Sequence, residues 1–153
     1  MQKNLSNKEI KALVPELEKW GFVLDKKDNA RIIEKDKVRL LEVNGKVCFW
    51  YFEKIPVPTL KLVQEKELRL RSITVDMGAV KFVTSGADIM RPGITEIDEG
   101  VLTGEVVAVR EETHGKALAL GKVMYSGDEM KAMGSGKVVK NIHYVGDWIW
   151  NNS

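Results

Sequence analysis

The sequence is poor in residues that bind metals or form disulfides. Among 153 residues it has one cysteine, Cys48, and two histidines, His114 and His143. A single cysteine cannot form a disulfide within the chain, and so few Cys and His side chains do not supply the cluster that a structural zinc site needs. We therefore predict neither a metal nor a cofactor.

Long apolar runs are also missing. No stretch approaches the roughly 18 apolar residues that a membrane-spanning helix requires, and the opening residues MQKNLSNKEI have no apolar core like that of a signal peptide. Hydrophobic residues make up 44% and charged residues 30% of the chain, which favours a globular protein over a disordered one. We expect a cytoplasmic protein without a membrane partner.

Charge is distributed unevenly along the chain, although the formal net charge is only +2. Residues 1–72 contain 16 Lys and Arg against 11 Asp and Glu, whereas residues 73–153 contain 8 against 11. Attraction for phosphate should therefore be stronger in the first part, with its net charge of +5, than in the second, with −3. This asymmetry predicts two domains, residues 1–72 and residues 73–153.

The first domain begins with the pattern of a capped helix. Ser6 and Glu9 have the spacing of a capping box, in which each side chain satisfies a backbone N–H group of the other residue. Pro15 should kink or split the helix because it lacks a backbone donor, and Gly21 should end it.

The remainder of the first domain has a strand pattern. β-branched and aromatic residues over 30–35, 38–43 and 46–52 predict a three-stranded antiparallel sheet, with Asn44-Gly45 as a type I′ turn signal. Pro56 and Pro58 should end this run before a short helix within residues 59–68. The first domain is therefore predicted to be α+β.

The second domain consists of short segments separated by glycines. These predict strands over residues 73–75, 89–90, 105–110, 117–125, 137–144 and 148–150, with short helices after Asp76 and Ser126. Many short strands with glycine turns indicate a small, mostly β barrel.

One segment resembles a phosphate-binding loop but departs from its motif. Gly134-Ser135-Gly136-Lys137 lacks the first glycine of a phosphate-binding loop, because position 131 is lysine, and Val138 replaces the required Ser or Thr. A glycine turn before a strand is the better interpretation.

The acidic pairs and the histidines also give no catalytic constellation. Glu111-Glu112 and Asp98-Glu99 are adjacent, so on a strand they would point to opposite faces, and we interpret them as solvated turn residues. His114 lies in a polar turn, and His143 lies in an apolar strand where a packed histidine is commoner than a catalytic one. We predict that the protein is not an enzyme.

Four consecutive aromatic residues, Phe49 to Phe52, require a partner surface. Alternation along a strand would put two of them on the solvent-facing side of a one-sided sheet. They could stack RNA bases beside Arg39, Lys46 and Lys54, or pack against the rest of the protein. We favour packing.

Residues 75–94, VDMGAVKFVTSGADIMRPGI, closely resemble the opening of a PUA domain, the RNA-binding module of pseudouridine synthases and archaeosine transglycosylases. The resemblance continues through ALALG at 117–121, and NIHYVGDWIW at 141–150 looks like the end of one branch, the malignant-T-cell-amplified translation factors and their archaeal relatives. LEVNGKVCFW at 41–50 and PTLKL at 58–62 resemble the pre-PUA domain of that branch. The implied fold is an α+β N-terminal pre-PUA domain followed by a mostly β PUA pseudobarrel.

The resemblance also implies a site. PUA domains hold RNA with the short helix, the glycine loop after it and an adjoining strand, and single-stranded ends suit such a loop better than a duplex does. Lys81 and Arg91 would contact phosphates, and the glycines would let the backbone approach the RNA, unless they serve only the turns of the barrel. The implied RNA-binding residues are Gly78, Ala79, Lys81, Phe82, Ser85, Gly86, Ala87, Asp88, Met90, Arg91 and His143.

These observations predict a non-enzymatic RNA-binding protein of translation. The resemblance implies tRNA or small-subunit rRNA as the ligand, during initiation, re-initiation or recycling. It implies the small ribosomal subunit and a protein with an initiation-factor-like domain as partners. The alternative is a protein–protein adaptor of the translation or RNA-modification machinery that makes no direct contact with RNA.

Overall fold

The computed structural model describes all 153 residues, which divide into two compact units. The first unit comprises Met1–Arg69 together with Asn151–Ser153, and the second comprises Leu70–Trp150. None of the helices has the length and apolar character needed to cross a membrane.

Helix α1 of the first unit (Asn7–Glu18) begins at the predicted capping box. The Ser6 hydroxyl accepts a hydrogen bond from the Glu9 backbone, and the Glu9 carboxylate accepts one from the Ser6 backbone. The helix continues through Pro15 rather than splitting there, with Leu13 and Leu17 buried on either side. Packing of this apolar face outweighs the absent hydrogen bond.

The sheet of the first unit contains the three predicted strands and two more. The order is β1-β2-β3-β4-β5, all antiparallel, and α2 (Leu60–Glu65) follows β5. The prediction that Pro56 and Pro58 end the sheet was wrong, because they lie in an edge strand, where missing backbone donors are tolerated. The strands are β1 (Gln2–Asn4), β2 (Ala30–Lys35), β3 (Val38–Val43), β4 (Lys46–Phe52) and β5 (Ile55–Pro58).

The aromatic run on β4 is largely buried. Phe49 is fully buried and meets Phe22 edge to face, with ring centroids 5.0 Å apart. Trp50, on the other face, is only 5% exposed, and Tyr51 and Phe52 are half-buried. The rings are therefore packed, which favours the packing interpretation over base stacking.

The second unit is built on a six-stranded mixed sheet in the order β7-β11-β10-β9-β6-β8. Only β6 and β9 pair in parallel. The curled sheet and the preceding α+β unit confirm the predicted fold class. The strands of the six-stranded sheet are β6 (Ser72–Val75), β7 (Ile89–Met90), β8 (Ile94–Ile97), β9 (Val106–Glu111), β10 (Ala117–Val123) and β11 (Lys137–Tyr144).

Three short helices accompany this sheet: α3 (Val80–Val83), α4 (Gly127–Ala132) and α5 (Trp148–Asn151). The prediction of a strand at 148–150 was wrong. The Asp147 carboxylate accepts a hydrogen bond from the Trp150 backbone at 2.8 Å, and this cap starts a helical turn instead.

The core of the second unit fills the inside of the curled sheet with aliphatic side chains from all its longer strands, among them Ile73, Val109 and Val139. Gly121 on β10 lets two strands approach closely, because a Cβ there would lie 2.4 Å from Val139 Cγ1. The core therefore fixes the sheet that supports α3 and the loop after it.

Candidate functional site

The end of β6 and the helix after it form one wall of the candidate site. The Asp76 side chain accepts a hydrogen bond from the Ala79 backbone at 2.9 Å and caps a 3₁₀ turn, Met77–Ala79, which leads into α3. Val83 is buried while Lys81 and Phe82 are exposed. The helix therefore holds its apolar side in the core and presents an aromatic ring and a lysine outward.

The glycine loop, Ser85–Asp88, follows α3 and is held tightly to it. The backbone of Ala87 donates to Phe82 O at 3.0 Å, and that of Gly86 donates to Val83 O at 3.1 Å. Gly86 has φ +92, and a Cβ there would lie 2.8 Å from the Tyr144 ring. The turn and the neighbouring ring therefore both require glycine at this position.

Asn141 on β11 fixes the other side of the glycine loop. Its side-chain amide donates to Val83 O at 3.0 Å and Ala87 O at 3.1 Å, and its backbone donates to Asp88 Oδ1 at 2.9 Å. Asn141 was not among the predicted site residues. Its one signal was a lone amide within the otherwise apolar and basic segment VVKNIHY.

These elements border a groove of about 630 Å³, which we call the apolar groove. It contains six of the eleven predicted site residues: Gly78, Ala79, Phe82, Ala87, Asp88 and Met90. The other lining residues are Asp76, Val83, Ile89, Pro92, Gly93 and Lys137. A groove of this volume suits a small ligand or one group of a larger ligand.

Exposed apolar side chains surround the groove. Phe82 is 57% exposed and Met90 50% exposed, and both line the groove. The Lys81 ammonium lies 5.1 Å from the centre of the Phe82 ring. The site therefore offers a flat ring with a positive charge beside it.

Arg91 and Ser85 do not line the groove. Arg91 donates through Nε to Met130 O at 2.6 Å and through a terminal nitrogen to Ile94 O at 3.1 Å, so most of its guanidinium is used within the fold. The Ser85 hydroxyl donates to Phe82 O at 2.9 Å. Both side chains support the loop and α4.

His143 is fully buried, with Nδ1 2.8 Å from Asp147 Oδ2. The Asp147 carboxylate also accepts hydrogen bonds from the Tyr144 and Trp150 backbones. Burial raises the pKa of Asp147, but the hydrogen bonds from His143 and from the two backbone N–H groups outweigh it and hold the pKa below its usual value. The structure therefore gives His143 a structural position beneath the surface.

Asp88 is the acidic group of the groove, and its carboxylate lies 3.1 Å from Lys137 Nζ. Burial raises the pKa of Asp88, and the Asn141 backbone hydrogen bond, Lys137 and Lys140 together lower it below its usual value. Asp88 therefore forms an ion pair with Lys137, and the charge of Lys140 adds to the lowering of its pKa.

The position of Glu111 differs from the prediction made from the sequence. It is only 4% exposed, and its carboxylate accepts hydrogen bonds from the His114 and Lys116 backbones. It is therefore a buried turn-forming group and not the predicted solvated residue. No group of three or more His, Cys, Asp or Glu side chains is arranged to hold a metal ion.

Comparison with known proteins places this geometry in a family. The PUA domain family matches residues 71–145. A protein of Methanocaldococcus jannaschii is 38% identical, covering 96% of this chain and 93% of its own length. Translation machinery-associated protein 20 of Eremothecium gossypii is 36% identical, with coverage of 100% and 88%, and Malignant T-cell-amplified sequence 1 of Danio rerio is 34% identical, with 90% and 79%.

Solved structures have a similar fold over all or part of the chain. A protein from the archaeon Pyrococcus horikoshii is 34% identical, with a TM-score of 0.85 and 99% of each chain covered. A chain of an H/ACA RNP bound to a substrate RNA is 30% identical, with a TM-score of 0.50 over 63% of this chain and 29% of its own. The predicted resemblance is confirmed: this chain belongs to the PUA-domain family that includes Translation machinery-associated protein 20 and Malignant T-cell-amplified sequence 1.

Proposed function

We propose that this chain is a non-enzymatic, cytoplasmic RNA-binding protein of translation that holds unpaired nucleotides in the apolar groove. The observation that carries the proposal is the exposed Phe82 ring at a groove of about 630 Å³, with Lys81 beside it. Aromatic rings stack on unpaired bases, and lysines contact the adjoining phosphates. This combination suits single-stranded RNA.

Unpaired RNA fits this site better than a duplex. A duplex presents its phosphates and 2′-hydroxyls outward and keeps the base faces stacked inside. If a duplex were bound, the apolar side chains of Phe82 and Met90 would therefore lie against the charged RNA backbone. A splayed nucleotide instead buries its base face on them, so the ligand is a loop or a 3′ or 5′ end.

The family relationship supports the cellular setting. Relatives of nearly the full length of this chain carry names associated with the translation machinery, and an RNP chain similar over part of it comes from a complex with RNA. We propose tRNA or small-subunit rRNA as the ligand, during initiation, re-initiation or recycling. The small ribosomal subunit and a protein with an initiation-factor-like domain are the proposed partners.

The decisive experiment is filter binding with tRNA and small-subunit rRNA fragments across a salt series. Phe82→Ala should weaken binding by about 1 to 3 kcal/mol at every salt concentration, because it removes stacking. Lys81→Ala should reduce the slope of affinity against salt by about one unit. Val23→Ala, which removes an exposed apolar side chain of the first unit, is the matched control and should bind like the parent.

A protein–protein adaptor is the second candidate, favoured by the exposed side chains of Phe82 and Met90, which both line the apolar groove. Apolar patches of this kind also dock proteins. The same salt series separates the two functions, because phosphate contacts make RNA affinity fall steeply with ionic strength. Binding that is absent at low salt, or indifferent to salt, would exclude the RNA function and leave the adaptor.

A further inference from the structure

Two turns of the first unit lie side by side at one end of its antiparallel sheet. Asp36-Lys37 joins β2 to β3, Glu53-Lys54 joins β4 to β5, and the register of β3 with β4 places both turns at the same level along the strands. We call these four residues the hairpin end. Because neighbouring strands are about 4.8 Å apart and the turns are two strands apart, the backbones of Lys37 and Lys54 are roughly 10 Å apart.

The two turns have the same backbone conformation, and both have lysine at its second position. The φ angles are 50 and 66 in the first turn and 50 and 67 in the second. A left-handed backbone favours glycine and is unfavourable for lysine. The third turn of the sheet, at the opposite end, has Asn44-Gly45 in this conformation. The backbone therefore does not explain the choice of lysine in both turns of the hairpin end.

The charges of both turn lysines are available to a ligand. Lys37 and Lys54 are exposed, and neither side chain forms a hydrogen bond, an ion pair or a ring contact within the protein. The acidic residues beside them, Asp36 and Glu53, each take part in an interaction within the protein. The two ammonium groups are therefore not neutralised by the carboxylates of their own turns.

The other cations near this end of the sheet have partners. Arg39 forms an ion pair with Glu34, the N-terminal ammonium donates to the Glu34 carbonyl, and Lys35 donates to the Asn152 side chain. Residues 1–72, to which all of them belong, carry a net charge of +5. The hairpin end thus adds two unpaired positive charges to the more basic part of the chain, which favours an anionic ligand.

We propose that the hairpin end binds backbone phosphates of RNA through Lys37 and Lys54. This inference rests on the proposed function and adds a contact in the first unit to the apolar groove of the second. A polymer of phosphates suits two ammonium groups that a sheet holds at a fixed separation, because lysine binds phosphate as a point charge. Such contacts position an RNA and do not read its sequence.

The test measures filter binding of tRNA by the full chain across a salt series. The double variant Lys37→Asn with Lys54→Asn removes both charges and keeps the fold, because asparagine tolerates a positive φ. It should reduce the slope of log affinity against log salt by about 1.4 to 1.8, since each neutralised phosphate contributes about 0.7 on a single strand and about 0.9 on a DNA duplex. Lys37→Arg with Lys54→Arg keeps both charges and should keep the parental slope.

The matched control is Lys8→Gln with Lys11→Gln, which removes two exposed lysines at the start of α1. The chain enters α1 at the opposite end of the sheet, where the Leu5 backbone donates to Ala30 O at the start of β2. This variant should keep the parental slope. An equal reduction of the slope in the control would overturn the inference, because it would show a general charge effect. Full competition by millimolar inorganic phosphate at constant ionic strength would also overturn it, because it would show a site for a free anion.

The two proposals fail separately. A parental slope in the asparagine variant, combined with weakened binding by Phe82→Ala, overturns the contact at the hairpin end and leaves the proposed function in place. A reduced slope in the asparagine variant with unchanged binding by Phe82→Ala supports the hairpin end and removes the apolar groove as the RNA site. A parent that does not bind tRNA at low salt overturns the hairpin end as an RNA contact.

Discussion

A single carboxylate, Asp147, holds together the end of β11 and the start of α5. It lies against the fully buried His143 and caps two backbone N–H groups. Asp147→Asn should cost about 1.5 to 3 kcal/mol of unfolding free energy at neutral pH, the range for hydrogen bonds to a charged group. Urea denaturation measures this cost, and Asp128→Asn on the exposed side of α4 is the control.

The same residue predicts a pH dependence. The pKa of Asp147 is lower in the folded protein than its usual value of 3.8, so its contribution to stability is full above that value and is lost as the pH falls through the folded pKa. Parent and Asp147→Asn should therefore converge in stability on acidification below about pH 4. A constant difference down to pH 2 would contradict this assignment.

Gly86 and Gly136 show two different reasons why a position requires glycine. Both have φ above +90, but only at Gly86 would a Cβ overlap another residue, Tyr144. Gly136→Ala should cost about 1 to 2 kcal/mol for the left-handed backbone alone, and Gly86→Ala should cost clearly more. Thermal unfolding of the two variants gives the difference. Equal costs would mean that the Tyr144 ring moves aside freely.

At the scale of elements, the sheet of the first unit has three tight turns that differ in residue type. Asn44-Gly45 has the residues that suit two positive φ angles, whereas Asp36-Lys37 and Glu53-Lys54 adopt the same conformation without glycine. Lys37→Gly and Lys54→Gly should each stabilise the protein by about 0.5 to 1 kcal/mol, after the entropy cost of glycine. Gly45→Ala is the control and should destabilise it, as chemical denaturation would show.

The elements that could be predicted are those with a local signal. The strands at 30–35, 38–43 and 46–52 were confirmed at their predicted bounds, because β-branched and aromatic runs and Asn44-Gly45 are visible in the sequence. β8 was missed because its buried Ile94 and Ile97 do not alternate with period two. The helix α3 and the glycine loop could be placed from their residues. The contacts of Asn141 and the side-by-side position of the two turns at the hairpin end could not, because both depend on strand register.

For the whole molecule, the division into two units predicts independent folding of the second. The buried aliphatic cluster of that unit is drawn entirely from residues between Ile73 and Val139, so residues 70–150 contain their own core. This fragment should give a dispersed amide spectrum and a cooperative thermal transition. Aggregation or a collapsed spectrum would contradict the prediction. Residues 1–69 have a marginal core for their length and serve as the comparison.

The assignment of residues 151–153 to the first unit has a mechanical consequence. Lys35 donates to the Asn152 side chain and Lys61 to the Ser153 carbonyl, so the chain enters the second unit from the first and returns to the first after it. A force applied between residues 1 and 153 is carried by the first unit while residues 151–153 stay bound to it. Tension reaches the strands of the second unit only after these residues detach, and this order would appear as two separate unfolding events in a single-molecule pulling experiment.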